Sequence, residues 1–590
     1  MTDRFARDTA HGVALLPAGC ARFRLWAPAQ ESVDVALEGG PLLPMRRLPD
    51  GWFEATAPCA VGARYRYRLA DGMLVPDPAA RAQADDVHGP SVVIDPRAYA
   101  WRNPDWQGRR WHEAVIYELH AGLCGGFAGV AARLPQLLEF GVTAVELMPL
   151  SDFPGRRNWG YDGVLPYAPD AAYGTPDALK SLIDTAHGLG LMMFLDVVYN
   201  HFGPDGNYLS RYAPQLFRQD HTTPWGPAID FRQPVVRNYF TENVLFWLME
   251  YRFDGLRFDA VHAIEEQDWV DEMAAAVRAT VEPGRQVHLV LEHHNDAAHL
   301  EKDLDAQWND DGHNVLHVLL TGEHGGYYAD YVDRPAEKLA RCLAEGFVFQ
   351  GEHCGYLDAP RGMPSAHLPP TAFVLFLQNH DQIGNRAFGE RLTILAEPAA
   401  LEAAIALVLL SPQIPLLFMG EEDASRTPFL FFTDHNADLA AAVRDGRRSE
   451  FARFPAFADP ATRARIPDPN APRTFEASVP HADAQAGPAR RVLYRRLIAL
   501  RQSEIVPRLD GASAIEARAI GGRAVLARWR LGDGAVLTLA ANLGREPVAV
   551  SVPAGEALSA TPDEAAPQAC AGRLPGHSTV AWLDHGPADE

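Results

Sequence analysis

The chain has 590 residues, 47% of them hydrophobic and 22% charged, which is an ordinary globular composition spread over more length than one core usually supports. Its 76 acidic and 53 basic residues give a formal net charge of -23. This sign disfavours nucleic acid and anionic membranes as partners, and its plainest role is solubility. The six cysteines show no CxxC spacing, and no stretch resembles a signal peptide or a membrane span. We therefore expect a cytoplasmic enzyme.

Short segments of alternating apolar and polar residues occupy positions 12 to about 100, among them "ARFRLWAP", "SVDVALEG", "WFEATAP" and "ARYRYRLADG". Gly and Pro turns separate these segments, a pattern typical of an antiparallel β-sandwich. We predict an N-terminal β-sandwich domain over residues 1–100.

From about residue 112, apolar strands alternate with helical segments, which indicates repeated βα units and a parallel sheet. The predicted strands are "AVIYELHAG", "AVELMPL", "LMMFLDVVYNH", "GLRFDA", "VHLVLEHH", a weak sixth near "AQWNDDGHN", "AFVLFLQNHD" and "IPLLFMGEE". Eight such strands predict an α/β fold, a closed (β/α)8 TIM barrel over residues 101–507 with a short insert after the third strand.

Short strands return near the end of the chain, in "RAVLARWRLG", "AVLTLAANLG" and "VAVSV". They predict a C-terminal β-sandwich domain over residues 508–590. The Ala-, Pro- and Glu-rich stretch 555–572 is expected to be an exposed loop.

Four predicted barrel strands end in polar residues that would be costly to bury without partners. Catalytic sites of TIM barrels lie at these carboxyl ends, so the active site is predicted there. Asp259 and Glu292 lie 33 positions apart, near one βα repeat, and should therefore occupy neighbouring strand ends. Two carboxylates facing each other can serve as nucleophile and general acid/base on a glycosidic bond, and Asp381 adds a third at the same rim.

Each neighbouring polar residue has a structural alternative. Asp196 is expected to brace other groups rather than react. Arg257 points to the same face as Asp259, so it either forms a plain salt bridge or also keeps that carboxylate ionised. His201 and His380 are core histidines or ligands of sugar hydroxyls, and the three carboxylates favour the second interpretation. Tyr161, in the Gly-flanked loop "NWGYDG", stacks on sugar or packs the loop.

Four segments resemble the motifs of the alpha-amylase family of retaining glycosidases: "DVVYNH" at 196, "GLRFDAVHAI" at 255, "LVLEHH" at 289 and "FLQNHD" at 376. Their order on successive strands makes the set specific. The resemblance implies that Asp259 is the nucleophile, Glu292 the general acid/base and Asp381 the transition-state stabiliser. It further implies sugar-binding roles at the cleaved side for Arg257, His201, His380 and Tyr161, and a supporting pair formed by Asp196 and Asn200.

Two departures from common amylases narrow the expected substrate. His262 and Ala263 stand where many amylases carry Lys-His after the nucleophile. The insert after the third strand is short and lacks the calcium-binding excursion of amylases. Asn200 is therefore expected to work without calcium, and neither a metal nor a cofactor is predicted.

Longer stretches, including "QWNDDGHNVLHVLLTGEHGGYYADY" and "LFLQNHDQIGNRAFGERL", are similar to one branch of this family, the malto-oligosyltrehalose trehalohydrolases. The similarity covers nearly the whole chain, with a first sandwich like those of glycogen branching and debranching enzymes. It implies hydrolysis of maltooligosyltrehalose and related alpha-glucans to release trehalose, and metabolic coupling to a maltooligosyltrehalose synthase. Candidate contacts on the leaving-group side are His262, His293, His294, Glu323 and Arg386.

Two rival functions remain at this point. A branching or debranching enzyme would share the four motifs and the first sandwich but act on alpha-1,6 linkages. A non-catalytic glycan-binding relative would be expected to lack at least one of the carboxylates, and this sequence retains all three.

Overall fold

The computed structural model describes residues 4–223 and 225–585. Its central element is a closed parallel barrel in which each strand pairs with the next and the last pairs with the first, Ile116 opposite Leu416. The eight strands are β1 (Ile116–Leu119), β2 (Ala144–Leu147), β3 (Met192–Val198), β4 (Gly255–Asp259), β5 (His288–Leu291), β6 (Ala306–Trp308), β7 (Phe373–Phe376) and β8 (Ile414–Phe418). The predicted TIM barrel is confirmed, and all eight predicted segments contain a barrel strand.

Helices follow the barrel strands and cover the outside of the sheet. Thr175 begins one of them by accepting a hydrogen bond from the Ala178 N–H (3.1 Å), with Pro176 in the first turn. The main helices are Gly126–Phe140, Pro176–Gly188, Pro234–Leu245, Asp268–Thr280, Asp310–Thr321, Pro335–Glu345, Pro398–Leu410, Ala437–Phe451 and Gly487–Leu500.

The interior of the barrel changes from apolar to charged along the strands. Ile116 on β1 and Phe194 on β3 belong to a buried apolar cluster. Two positions further along the same strands, on the same face, stand Glu118 and Asp196, both almost fully buried. The apolar layer closes one end of the barrel, and the charged layer begins the carboxyl end where the candidate residues lie.

The N-terminal strands form two antiparallel sheets. Arg81 ties this region to the barrel side through a buried ion pair with Glu250 (3.3 Å). The first sheet contains Gly12–Leu16, Cys20–Trp26, Trp52–Pro58 and Arg46–Arg47, and the second contains Leu42–Pro44, Val33–Leu37, Arg64–Leu69, Leu74–Val75 and Ser91–Val92.

The C-terminal strands form a five-stranded antiparallel sheet and a two-stranded ribbon. The Trp529 indole N–H donates to the Leu343 carbonyl (3.0 Å), which packs the sheet against the helix Pro335–Glu345. The sheet strands are Ser513–Gly521, Ala524–Arg530, Val536–Asn542, Ser578–Asp584 and Glu556–Thr561, and the ribbon pairs Val548–Ala549 with Arg573–Leu574.

The prediction of an exposed loop at 555–572 is wrong. Glu556–Thr561 forms the edge strand paired with Ser578–Asp584, and Ala565–Cys570 forms a short helix. Ala565 and Ala569 of that helix are fully buried against the sheet. Small side chains allow this close packing, so an Ala-rich composition indicated a tight contact here rather than an exposed loop.

Candidate active site

The register of three neighbouring strands brings the predicted catalytic residues together. Asp196 on β3 lies opposite Arg257 on β4, and Val198 lies opposite Asp259. On the other side of β4, Phe258 lies opposite Leu291, so Glu292 follows directly beside Asp259. Because parallel strands end at one rim, Asp196, Asp259 and Glu292 surround the same point.

Arg257 is the hub of this group. Its guanidinium donates to Asp196 Oδ2 (2.6 Å), Asp259 Oδ1 (2.9 Å) and Glu292 Oε2 (2.6 Å). The Arg257 side chain is fully buried, and its guanidinium carbon stands 4.1 Å from the centre of the Trp308 ring. One cation thus serves three carboxylates, so it cannot fully neutralise any of them.

The surroundings shift the pKa values of Asp259 and Glu292 in opposite directions. Burial raises the pKa of Asp259 well above its usual value, and repulsion from Glu292 and Asp196 acts in the same direction. Arg257 lowers this pKa but is outweighed. Burial alone would raise the pKa of Glu292, but Arg257, His262 and the Ala260 N–H lower it to about 2. Arg257 acts to lower the pKa of both carboxyl groups, and the two groups titrate as one interacting pair.

Tyr161, His201 and Asn200 lie on the side of Asp259 and Asp196. The Tyr161 hydroxyl donates to Asp196 Oδ2 (2.6 Å) and meets His380 Nε2 at 2.7 Å. Asn200 Nδ2 donates to Asp259 Oδ2 (3.0 Å), and the Asn200 amide oxygen contacts His201 Nδ1. His201 Nε2 meets the Tyr161 carbonyl at 3.0 Å. The structure therefore brings all the residues predicted for the cleaved-sugar side into one hydrogen-bonded network.

Asp381 lies at the outer edge of the network, in the first turn after β7. His380 Nε2 is 3.4 Å from its Oδ1, and 34% of the Asp381 side chain is exposed, against 12% for Asp259 and 17% for Glu292. The three carboxylates therefore share one rim, and Asp381 is the most accessible of them.

The histidines predicted for the leaving-group side separate into two environments. The rings of His262 and His294 stack with their centres 3.6 Å apart, and burial lowers the pKa of His294 to about 3. His262 Nδ1 is buried without a hydrogen-bond partner in the described part of the chain. His293 instead points to Gln267 Oε1 (3.3 Å) while its Nδ1 accepts the His294 N–H (2.8 Å).

Arg386, another predicted contact, is already engaged by the protein. Two of its nitrogens donate to the two carboxylate oxygens of Glu323 (2.8 and 2.9 Å), and its Nε donates to Glu390 (3.1 Å). His317 also meets Glu323 at 2.8 Å. A sugar contact from this guanidinium would have to compete with a paired carboxylate.

Three residues of this region were not singled out from the sequence. Asp310 follows β6, and burial with repulsion from Glu292 raises its pKa to about 7. Trp225, 48% exposed, stacks on His201 with ring centres 5.3 Å apart. Glu118 lies beneath His380. The acidic residue inside the apolar segment "IYEL" was a usable signal for Glu118, whereas only the three-dimensional contacts reveal Trp225.

In the described ranges, one group of side chains has ligand atoms close enough for a metal ion, namely His293, Asp296 and His299, within 4.8 Å of one another. Its nitrogens have protein partners: both Nε2 atoms meet Gln267 Oε1, and His299 Nδ1 meets Asp271 at 2.8 Å. Because His293 Nδ1 accepts a backbone N–H, its Nε2 carries the proton and is no ligand. We assign this group to hydrogen bonding.

Comparison with known proteins gives the class of enzyme to which the chain belongs. The family model "Alpha amylase, catalytic domain" matches residues 76–225, and a domain of unknown function, DUF3459, matches residues 512–581. The crystal structure of a suggested alpha amylase from Salmonella typhimurium has a TM-score of 0.92 at 44% identity, covering 98% of this chain and 100% of that one. Fold, family model and carboxylate rim together define a glycoside hydrolase of the alpha-amylase family.

Two curated relatives narrow the class. A malto-oligosyltrehalose trehalohydrolase of Deinococcus radiodurans is 42% identical over 84% of this chain and 83% of its own length. The enzyme of the same name from Rhizobium sp. (strain M-11) is 38% identical over 92% and 94%. The chain belongs to the malto-oligosyltrehalose trehalohydrolase family. No helix in the described part of the chain combines the length and the apolar composition that a bilayer-spanning segment requires.

Proposed function

We propose that the chain hydrolyses the alpha-1,4 bond between a maltooligosaccharide and the terminal trehalose of maltooligosyltrehalose, releasing trehalose. The observation that carries this proposal is the placement of Asp259 and Glu292 on adjacent strand ends around Arg257, in a chain of this family. Two carboxylates across one pocket, with a third at the rim, are the groups that a retaining glycosidase needs.

The proposed mechanism has two steps. Asp259 attacks the anomeric carbon while Glu292 gives its proton to the departing oxygen of trehalose, which leaves a glycosyl-enzyme ester. Water then attacks the same carbon, Glu292 takes a proton from it, and the carboxylate of Asp259 leaves. The anomeric configuration is retained because the carbon is inverted twice.

The first step requires a protonated Glu292 and an ionised Asp259. In the ligand-free site Glu292 accepts hydrogen bonds from Arg257 and from the Ala260 N–H. We propose that the glycosidic oxygen enters between Glu292 and Arg257 and weakens their contact, which favours the proton on Glu292.

The remaining residues are proposed to hold the sugar at the cleaved side. Tyr161 offers an aromatic face, since its ring stacks on His380 with centres 5.2 Å apart. His201 and His380 hydrogen-bond sugar hydroxyls, and Asp381 stabilises the positive charge that develops at the anomeric carbon. Asp196 and Asn200 support Arg257 and Asp259 through the contacts described above.

Product analysis tests the proposal directly. The purified chain is incubated with maltooligosyltrehalose, and the products are separated by chromatography. Free trehalose and a maltooligosaccharide one trehalose unit shorter are expected. Parallel incubations with amylopectin and with amylose test the alternative, because a debranching or branching enzyme would change alpha-1,6 linkages there. Absence of trehalose from the first incubation would overturn the proposal.

The substrate chemistry also implies a partner in metabolism. A synthase that converts the reducing end of a glucan into a trehalose unit must supply this substrate, and we propose metabolic coupling to such a maltooligosyltrehalose synthase. A cytoplasmic location, with soluble alpha-glucans as the pool for both steps, is part of the same proposal. Fractionation of cells followed by the trehalose assay tests the location.

A further inference from the structure

Glu118 lies in the middle of the barrel and belongs to none of the recognised motifs. It stands on β1, is 1% exposed, and is paired in register with Glu146 on β2. Two acidic residues side by side in a protein interior are costly unless each has a partner or a proton. Glu118 has hydrogen-bond partners for its carboxyl oxygens, whereas Glu146 has none among the described residues.

Glu118 binds one residue through both oxygens. Its Oε1 meets the ring of His380 at Nδ1, and its Oε2 accepts the backbone N–H of His380 (3.2 Å). The carboxylate therefore fixes both the position of the His380 backbone and the rotation of its imidazole. On the far side of the ring, Nε2 meets the Tyr161 hydroxyl at 2.7 Å and Asp381 Oδ1 at 3.4 Å.

The protons in this chain of contacts can be assigned from the partners. Asp196 Oδ2 and Glu118 are both acceptors, and they lie at the two ends of the pair formed by Tyr161 and His380. The Tyr161 proton goes to Asp196, so the Tyr161 oxygen accepts from His380 Nε2. A carboxylate at Glu118 has no proton to give, so its contact with Nδ1 requires His380 to donate there as well. Both ring nitrogens therefore carry a proton, and the imidazole is a cation.

The surrounding charges agree with this assignment. Burial alone would lower the pKa of His380, but Asp381 and Glu118 raise it to about 10. Arg257 acts in the opposite direction and is outweighed. The titratable groups around His380 are Glu118 on β1, His120 after β1, Glu146 on β2, Tyr161 after β2, Asp196 on β3, Arg257 on β4, Glu292 after β5 and the adjoining Asp381.

Glu146 provides the contrast. Both of its carboxyl oxygens are buried with no hydrogen-bond partner among the described residues. Burial, with repulsion from Glu118 and Asp196, raises the pKa of Glu146 well above its usual value. Of these two neighbouring glutamates, Glu118 hydrogen-bonds a residue of the candidate site, whereas Glu146 does not.

We propose that Glu118 is a positioning residue of the sugar site, which holds His380 as a doubly protonated imidazole with its Nε2–H directed at Tyr161 and Asp381. The inference rests on the proposed function, because Tyr161 and Asp381 act there on the sugar undergoing cleavage. With Glu118 in place, the Nε2–H donor and the Asp381 carboxylate are set before substrate arrives, and no reorganisation is needed during the reaction.

The matched variants Glu118→Gln and Glu146→Gln test the proposal, since each replaces one ionisable carboxyl group by an amide without changing side-chain length. Trehalose release is measured from pH 6 to pH 9. For Glu118→Gln we expect kcat to fall by roughly tenfold to a hundredfold, with KM changed by less than about threefold. The loss should grow with pH, because the pKa of His380 falls once Glu118 is neutral. Glu146→Gln should change kcat by less than about threefold at every pH.

A double-mutant cycle separates positioning from general damage. In a His380→Gln background, Glu118→Gln should change kcat by less than about threefold, since its effect passes through His380. Equal losses from Glu118→Gln in both backgrounds, or equal pH profiles for Glu118→Gln and Glu146→Gln, would overturn the proposal.

A measurement without substrate completes the test. In protein labelled with ¹⁵N at histidine, His380 should show two slowly exchanging ring N–H protons at pH 8, and His380→Gln identifies their signals. Glu118→Gln should remove at least one of them, whereas Glu146→Gln should keep both. A single ring N–H in the unmodified chain would contradict the cation. Failure of the unmodified chain to release trehalose would instead count against the proposed function, and the NMR result would stand apart from it.

Discussion

The two sides of the proposed cleavage point are built differently. On the side of the cleaved sugar, Arg257 is fully buried and binds three carboxylates at 2.6 to 2.9 Å, and Asn200 donates a hydrogen bond to Asp259. On the leaving-group side, His262 and His294 stack in a half-buried position, and His262 Nδ1 has no partner in the described structure. The charged groups of the first side hold one another before substrate binds, although Asp196 Oδ1 and Arg257 Nε lack a partner among the described residues. The second side has no such ionic network, and its stacked imidazoles leave His262 Nδ1 unpaired.

The difference matches the two tasks of a hydrolase that selects one leaving group. Groups that act on developing charge gain most from being fixed in advance. Groups that select a leaving unit gain from polar atoms that only the correct partner satisfies, because an unpaired buried atom penalises the wrong one. Changes on the first side should therefore remove turnover, and changes on the second should alter substrate preference.

The largest effect is expected from Asp259→Asn. The amide cannot attack the anomeric carbon, so kcat for trehalose release should fall by about 10⁴-fold or more. Steady-state assays measure this loss, and an unchanged circular dichroism spectrum serves as the folding control. A variant that kept full hydrolysis would refute the assignment of Asp259 as nucleophile.

Arg257→Met should damage both stability and activity. Three carboxylates would lose their shared cation, and breaking a buried ion pair typically costs about 3–5 kcal/mol of unfolding free energy. Urea unfolding measures the loss. Arg237→Met, which removes partly exposed ion pairs with Glu272 and Asp268, is the matched control and should change the unfolding free energy by no more than about 1 kcal/mol. Equal losses from the two variants would contradict the hub role.

His262→Ala should alter substrate preference rather than the chemistry. If the unpaired Nδ1 serves the leaving unit, kcat/KM for maltooligosyltrehalose should fall by about tenfold, while the slower cleavage of an ordinary maltooligosaccharide should change much less. His293→Ala is the comparison, because His293 faces Gln267 instead. An equal fall for both substrates would remove His262 from the selective side.

Asp310→Asn should change how stability depends on pH. The folded chain holds the Asp310 proton up to about pH 7, whereas the unfolded chain releases it near pH 4. The folded state therefore binds more protons in this interval, and Asp310 makes the unfolding free energy fall as pH rises from 4 to 7. Thermal melting should therefore show that the stability of Asp310→Asn relative to the parent chain increases from pH 4 to pH 7. A stability difference that stays constant over this range would contradict the prediction.

The smallest effect is expected from Arg386→Ala. Its guanidinium is held by Glu323 and Glu390, so kcat and KM should each change by less than about threefold. Kinetics on maltooligosyltrehalose measure this directly. A loss above tenfold would show that the leaving unit displaces Glu323, and it would move Arg386 to the selective side of the comparison.

Much of the barrel could be predicted because its strands are continuous apolar runs that end in polar residues. The helix Asp310–Thr321 is harder to recognise in the sequence than the strands are. It carries several polar residues in the apolar pattern, such as His313 and His317, which are buried through contacts with Leu377 and Glu323. Residue periodicity does not register a polar side chain whose partner is distant in sequence.

The candidate site shows the same division. The spacing of Asp259, Glu292 and Asp381 was enough to place three carboxylates at one rim, because strand order and repeat length fix where each strand ends. The sequence by itself also determined the family, through motifs in a set order. Only the tertiary structure decided which groups are paired. In the folded chain Arg257 binds three carboxylates, and His293 contacts Gln267. Arg386 pairs with Glu323, and Glu118 contacts His380. Such partners come from separate parts of the chain, and a hydrogen bond depends on positions that the fold fixes to a fraction of an ångström.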